Sequence, residues 1–135
     1  MLVFATAYAA TAVCFFAFDF VWLTMATDRL YKPLLGPLLA AEPSLPVAGL
    51  FYVFYVVGLV VFAVLPAVSS GSWLMAIGLG ALLGLVAYGT YDITNLATLR
   101  DWPLTVTLID LAWGTFVSAA AALAGYAALR GTGLA

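Results

Sequence analysis

Four long apolar stretches constrain the fold of this chain more than any other feature of its sequence. They run over about residues 2–26, 46–68, 73–99 and 104–129. An α-helix needs about 20 apolar residues to cross the hydrocarbon core of a bilayer. Because 67% of the residues are hydrophobic and only 7% are charged, lipid is the only plausible solvent. The sequence predicts an all-α polytopic membrane protein, a four-transmembrane-helix bundle in a single domain over residues 1–135.

The composition excludes several kinds of site. The chain has one cysteine, no histidine and a net charge of −2. A zinc site of the usual Cys/His type and a His-ligated haem therefore lack their ligands. A nucleic-acid interface lacks the basic face that it needs. An oxygen-only cluster could still hold Mg²⁺, Mn²⁺ or Ca²⁺, so a hard divalent cation stays open as an alternative.

The segment between the first two spans, "TDRLYKPLLGPLLAAEPSLP", is short and apolar. Pro33 and Pro37 interrupt regular helix there, while the leucines between them keep the segment attached to the membrane. The simplest interpretation is a short helix lying in the membrane interface. A lid folded over the bundle is an alternative, and a plain apolar connector without a role of its own is favoured over the lid. Trp73 and Trp102 flank the third span, and we interpret both as belt residues at the membrane–water interface.

Positively charged residues predict the orientation. Arg29, Lys32 and Arg100 lie in the two loops that share one side of a four-span bundle, whereas Arg130 lies on the side of the termini. Lysine and arginine are enriched in cytoplasmic loops. We therefore expect both termini on the periplasmic side of the membrane.

Small residues recur at four-residue spacing in the last two spans. Such spacing lets helix backbones approach closely in lipid, so we expect spans three and four to pack tightly. The residues are Ala76, Gly80 and Gly84 in one span and Gly114, Ser118 and Ala122 in the other.

Three aspartates lie inside the apolar stretches, where solvation does not explain them. Asp19 is near the end of the first span, Asp92 near the end of the third and Asp110 near the start of the fourth. Because consecutive spans alternate in direction, these ends face the same side, roughly 10 Å below the membrane surface. A carboxylate facing lipid costs several kcal/mol, so all three should point into the bundle at one level.

Aromatic and polar side chains share this level and are predicted to line a pocket with the acids. Tyr88, Asp92 and Asn95 follow the helical spacing i, i+4, i+7. "FDFVW" and "IDLAW" each place a tryptophan three residues after an aspartate, on the same helix face. The predicted ligand-binding residues are Asn95, Tyr52, Tyr55, Tyr88, Tyr91, Trp22, Trp113 and Thr94, with Arg100 at the mouth.

Three negative charges at close range would repel strongly at low dielectric. We expect at least one carboxyl group to hold its proton at neutral pH, or a bound cation to neutralise the cluster. The pocket is then suited to protons, a metal ion or a cationic group.

These features predict a small membrane protein that binds or processes a hydrophobic or amphipathic small molecule or a membrane lipid. In an enzyme, Asp19, Asp92 and Asp110 would be catalytic, one as general acid and an ionised neighbour as base or cation stabiliser. One alternative is a proton- or cation-coupled transporter acting as a homodimer. Another is an accessory or assembly subunit whose polar layer only fixes helix register. The other half of the bundle is dry, which favours a pocket open to one side and weakens a single-protomer transporter.

Three runs of the sequence, "FYVFYVVGLVVFAVLPA", "GLVAYGTYDITNLATLRDWP" and "DLAWGTF", resemble an uncharacterised family of small bacterial membrane proteins. The family carries a domain-of-unknown-function label and has four predicted spans. The similarity begins at "FDFVWL", covers nearly the whole chain and is most specific in the pattern "YGTYDxTNLATL". The resemblance implies a protein of the bacterial inner (cytoplasmic) membrane and supplies no activity.

Overall fold

The computed structural model describes residues Met1–Ala135 and consists of helices and connecting turns. Four helices are long and apolar enough to cross a membrane, so the predicted four-helix membrane bundle is confirmed. We call them spans 1 to 4, and they comprise Leu2–Leu38, Leu45–Ser70, Trp73–Thr98 and Leu104–Gly131.

Span 1 continues past the charged residues at which its apolar stretch ends. The predicted short helix is present as part of this continuation rather than as a separate element. The successive pieces are an α-helix Leu2–Ala26, a π-helical turn Thr27–Tyr31, an α-helix Lys32–Leu35 and a 3₁₀ turn Gly36–Leu38. We call residues 27–43 the cover segment, because they lie over one end of the bundle.

Two prolines explain the two π-helical turns of the structure. The turns are Thr27–Tyr31 and Val60–Val64, and each ends two residues before a proline, Pro33 or Pro66. Proline lacks an N–H group and its ring collides with the carbonyl group four residues earlier. A π turn widens the helix at that point, so both helices continue past a residue that would otherwise end them.

The closest helix contact joins spans 3 and 4 at the small residues that the sequence spacing indicates. A Cβ atom on Gly80 would lie 2.8 Å from both the Ala122 Cβ and the Ser118 carbonyl oxygen. A Cβ atom on Gly84 would lie 2.7 Å from the Ser118 side chain. No side chain fits at either position, so the two backbones are in direct contact.

Span 2 packs unevenly and leaves one end of the bundle open. Its second half, from Val60 to Ser70, packs against span 3, and the side chains of Val60 and Val64 are fully buried. Its first half, the α-helix Leu45–Leu59, packs against span 1 and touches span 3 little. The end of the bundle beneath the cover segment is therefore open between spans 2 and 3, whereas the opposite end is filled.

Candidate functional site

A cavity of about 930 Å³ lies between the cover segment and the adjoining ends of all four spans. Its wall includes Asp19, Asp110 and Lys32 as the charged residues. The largest group in the wall is aromatic and comprises Trp22, Tyr31, Tyr52, Tyr88, Tyr91, Trp102 and Trp113.

A second cavity of about 350 Å³ adjoins the first between spans 2 and 3, and its wall is entirely hydrophobic. Tyr52, Tyr88 and Tyr91 line both cavities. At the rim, Phe51 is 59% exposed and Tyr91 58% exposed, so the smaller cavity faces the region that lipid would occupy. An acid-bearing cavity and an apolar cavity therefore lie side by side, with these three tyrosines between them.

The three intramembrane aspartates are all buried, with exposed fractions of 5% for Asp19, 0% for Asp92 and 6% for Asp110. Asp19 and Asp110 lie on the wall of the larger cavity. Asp92 is absent from that wall and neighbours Asp110, close enough for the two carboxyl groups to influence each other's protonation. Neither carboxyl oxygen of Asp92 has a hydrogen-bond partner. The structure thus contains an acid pair and a separate third acid.

The three carboxyl groups do not converge on one point. No three acidic side chains lie close enough together to hold a metal ion. The geometry therefore does not fit the cluster of three carboxylates around a hard divalent cation that the sequence left open.

None of these three acids forms an ion pair, although Lys32 lies on the same cavity wall as Asp19 and Asp110. The one ion pair of the structure joins Lys32 Nζ to Asp28 at 2.9 Å, and both side chains are exposed. Asp19, Asp92 and Asp110 pair with no lysine or arginine. Because buried charges are normally paired, these acids require a proton or an external cation.

Hydrogen bonds tie the cover segment to the acid pair. The Trp22 indole N–H donates to the Tyr31 hydroxyl oxygen at 3.1 Å, and the Tyr31 hydroxyl group donates to Asp110 Oδ1. Nearby, Leu35 packs against Trp102 and is 6% exposed. The cover segment is therefore anchored by one polar chain and one apolar contact.

The two Asp-x-x-Trp motifs meet across the cavity. The rings of Trp22 and Trp113 stack with their centroids 4.6 Å apart and their planes 9° from parallel. Trp22 reaches Asp110 through Tyr31. The Trp113 N–H points toward Asp19 but does not reach hydrogen-bond geometry. Each indole is thus directed at the acid of the other motif.

We expect Tyr31→Phe to loosen the cover segment. The change removes the hydrogen bond to Asp110 and the acceptor of the Trp22 N–H. Because a hydrogen bond to a charged group contributes about 2 kcal/mol, the folded position of the cover segment should lose about that much stability. Amide hydrogen exchange over residues 29–39 should then accelerate roughly thirty-fold. Tyr8→Phe is the control, because its hydroxyl group donates to the Val53 carbonyl oxygen at 2.9 Å, far from the cover segment. Equal exchange in both variants would contradict the anchoring role.

The structure brings some of the predicted binding residues to the larger cavity and leaves others out. Tyr55 lines the smaller cavity, and its hydroxyl group lies 2.8 Å from the Ser118 Oγ. Asn95 is half-buried beside Tyr91, while Thr94 and Arg100 are exposed. The predicted residues that line the larger cavity are Asp19, Trp22, Tyr52, Tyr88, Tyr91, Asp110 and Trp113.

Sequence reasoning missed Tyr31 and assigned Trp102 wrongly. Trp102 is not a belt residue: it is 8% exposed, lines the cavity and donates its N–H to the Thr107 Oγ1 at 3.0 Å. The Pro103 that follows Trp102 could have indicated its buried position, because the chain turns back into the bundle at this proline. For Tyr31, the apolar character of its segment was compatible with a lid, but no pattern selected this residue.

The fold and the cavity define the chain as a four-helix polytopic membrane protein with an acid-bearing cavity at one end. It belongs to a family described as predicted membrane protein (DUF2177), whose profile matches residues 4–127. The family membership suggested by the sequence is thereby confirmed. No curated protein and no solved structure matches the chain.

Proposed function

We propose that this protein binds an amphipathic small molecule inside its membrane domain. The observation that carries the proposal is that the acid-bearing cavity directly adjoins the apolar cavity between spans 2 and 3, with Tyr52, Tyr88 and Tyr91 lining both. The polar end of the ligand would lie near Asp19 and Asp110, and its hydrocarbon part would lie along Phe51 and Tyr55.

The dimensions of the cavities support this proposal. Ligand sites typically occupy 300–1,000 Å³ and combine apolar walls with a few polar groups. The larger cavity, at about 930 Å³, suits a headgroup with part of its chain. The exposed rim at Phe51 and Tyr91 suits a ligand that enters sideways from the bilayer.

The packed half of the bundle favours binding or processing over passage through one protomer. Val60, Ala63, Val64, Ala122 and Leu129 form a core there with no exposed surface. A transported solute would need polar groups on both sides of the site. Asp19 and Asp110 line only the cavity beneath the cover segment, so the site opens at one end of the bundle.

We place the protein in a bacterial inner membrane with the cover segment toward the cytoplasm. Arg29, Lys32 and Arg100 all lie at the end of the bundle that carries the cover segment, whereas Arg130 lies at the other. The enrichment of lysine and arginine in cytoplasmic loops supports this orientation. Both termini would then be periplasmic.

The proposal predicts saturable binding of a brominated amphiphile, 11-bromo-1-undecanol. Bromine quenches tryptophan emission on contact, and Trp22, Trp102 and Trp113 line the cavity. Trp73 is exposed elsewhere and is removed by Trp73→Phe in every protein measured. We expect quenching in dodecyl maltoside to reach a plateau instead of rising linearly with the amount of probe.

A matched pair of variants locates the site. Ala87 lines the smaller cavity, so Ala87→Phe should fill this space and weaken binding about ten-fold, the order expected for an overpacked apolar site. Ala97→Phe adds the same side chain at an exposed position of the same span and should leave binding unchanged. Linear quenching in the parent protein, or equal effects of both substitutions, would contradict the proposal.

A further inference from the structure

We infer that the headgroup bound at Asp19 and Asp110 is an organic ammonium cation. This inference rests on the proposed function, because it names the chemical class of the ligand at the same site. Three features of the cavity wall carry it: buried carboxyl groups without a lysine or arginine partner, aromatic rings beside them, and no free positive charge.

The buried Asp19 carboxyl group lacks a partner within the protein. It is 5% exposed and lies on the cavity wall. A neighbouring donor, the Trp113 N–H, has no hydrogen-bond partner itself. Both groups are therefore available to a molecule in the cavity, and the acid accepts what an ammonium group donates.

The acid pair adds to the negative character of the site. Asp92 has no donor for either oxygen atom and neighbours Asp110. Tyr31 is the one donor to Asp110. Three acids without a cation create a local field that attracts positive charge and repels anions.

Aromatic rings complete the recognition of a cation. The cavity wall carries rings from all four spans and from the cover segment, among them Trp22, Tyr31, Tyr52 and Tyr88. A cation near an aromatic face gains energy, and the gain increases when water is excluded. Aromatic rings are the groups with which proteins recognise quaternary ammonium ligands, and here buried carboxyl groups lie on the same wall.

Anionic and neutral headgroups fit this wall less well. The positive group on the wall, Lys32, is paired with Asp28 at 2.9 Å and is exposed. A phosphate or sulfonate would thus meet Asp19 and Asp110 without a counter-charge. A neutral hydroxyl group could donate a hydrogen bond to one acid but would leave the net negative charge of the site uncompensated.

Competition among four probes with the same hydrocarbon chain tests this inference. Octyltrimethylammonium, octylamine, 1-octanol and octane-1-sulfonate are each titrated against bound 11-bromo-1-undecanol in the Trp73→Phe protein. Dodecyl maltoside is used because it contains no ammonium group. We expect both ammonium probes to displace the brominated alcohol at least ten-fold more effectively than octanol, with the sulfonate weakest.

Substitution of the acids should remove this preference. In Asp19→Asn and Asp110→Asn, the advantage of the ammonium probes over octanol should fall to less than three-fold, while the brominated alcohol still binds and so reports a folded protein. Asp101→Asn is the matched control, since Asp101 is an exposed acid at the same end of the bundle. Its ratio should stay at the parent value.

Two results would overturn different parts of the argument. Equal displacement by all four probes, or strongest displacement by the sulfonate, would refute the ammonium headgroup and leave the amphiphile site intact. Absence of saturable binding by the brominated alcohol in the parent protein would refute the proposed function itself, and the ammonium inference would fall with it.

Discussion

Gly84→Val is expected to destabilise the bundle by about 3 kcal/mol, the upper end of the range for overpacking. A Cβ atom at Gly84 would collide with the Gly114 carbonyl oxygen and the Ser118 side chain. The Gly114 carbonyl oxygen belongs to the backbone of span 4, and the Ser118 Cβ atom is attached directly to it. Neither atom can move aside by rotation of a side chain. Spans 3 and 4 must separate, and Asp92 must then move away from Asp110.

The control for this prediction lies on the same span. A Cβ atom on Gly78 would meet nothing within 4 Å, so Gly78→Val should change the free energy of unfolding by less than about 1 kcal/mol. Unfolding of both variants in mixed micelles with increasing sodium dodecyl sulfate, followed by circular dichroism, measures the difference. If Gly84→Val and Gly78→Val unfold alike, direct backbone contact is not what holds spans 3 and 4 together.

The glycine contact also connects the packing of the bundle to the cavity. Gly114 has no Cβ atom, and the space is taken by the ring of Tyr88, which lines both cavities. A side chain at Gly114 would therefore displace a residue of the cavity wall. The small residues of spans 3 and 4 thus determine the shape of the site as well as the stability of the fold.

The spans could be predicted from the sequence because the bilayer imposes a length and a polarity on each of them. The spacing of Gly80 and Gly84 was similarly informative, since close approach of backbones requires small residues. The end of span 1 was harder to predict. Pro33 normally ends a helix, but here a π-helical turn precedes it, and hydropathy does not detect this local widening.

Helical periodicity predicted which face of span 3 is polar. It could not predict how much of that face the adjacent helices cover. Asp92 and Asn95 share a face of span 3, yet Asp92 is fully buried whereas Asn95 is half-buried. Arg100 lies beyond the end of span 3 and is exposed. The placement of Tyr31 against Asp110 depends on how the cover segment folds back, and this is a tertiary contact without a local pattern.

We expect dicyclohexylcarbodiimide to modify the Asp92–Asp110 pair at neutral pH. The reagent adds to a protonated carboxyl group and forms an O-acylisourea, which rearranges to a stable N-acylurea. The two carboxyl groups are neighbours, and neither has a lysine or arginine partner. Like charges on neighbouring buried carboxyl groups repel each other, so we expect the pair to share a proton and its modification to decline as the pH rises.

Asp92→Asn should lower the fraction of Asp110 that the reagent modifies by ten-fold or more. The asparagine amide has the size of the acid and donates an N–H to Asp110, which also accepts from Tyr31. With two donors and no neighbouring acid, Asp110 no longer needs the shared proton, and its carboxylate form does not react. Peptide mapping by mass spectrometry measures the modified fraction, with Asp101→Asn as the unaffected control. Undiminished modification of Asp110 in Asp92→Asn would mean that it is protonated for a reason other than its contact with Asp92. The acid pair would then be two independent groups rather than a single proton-holding unit.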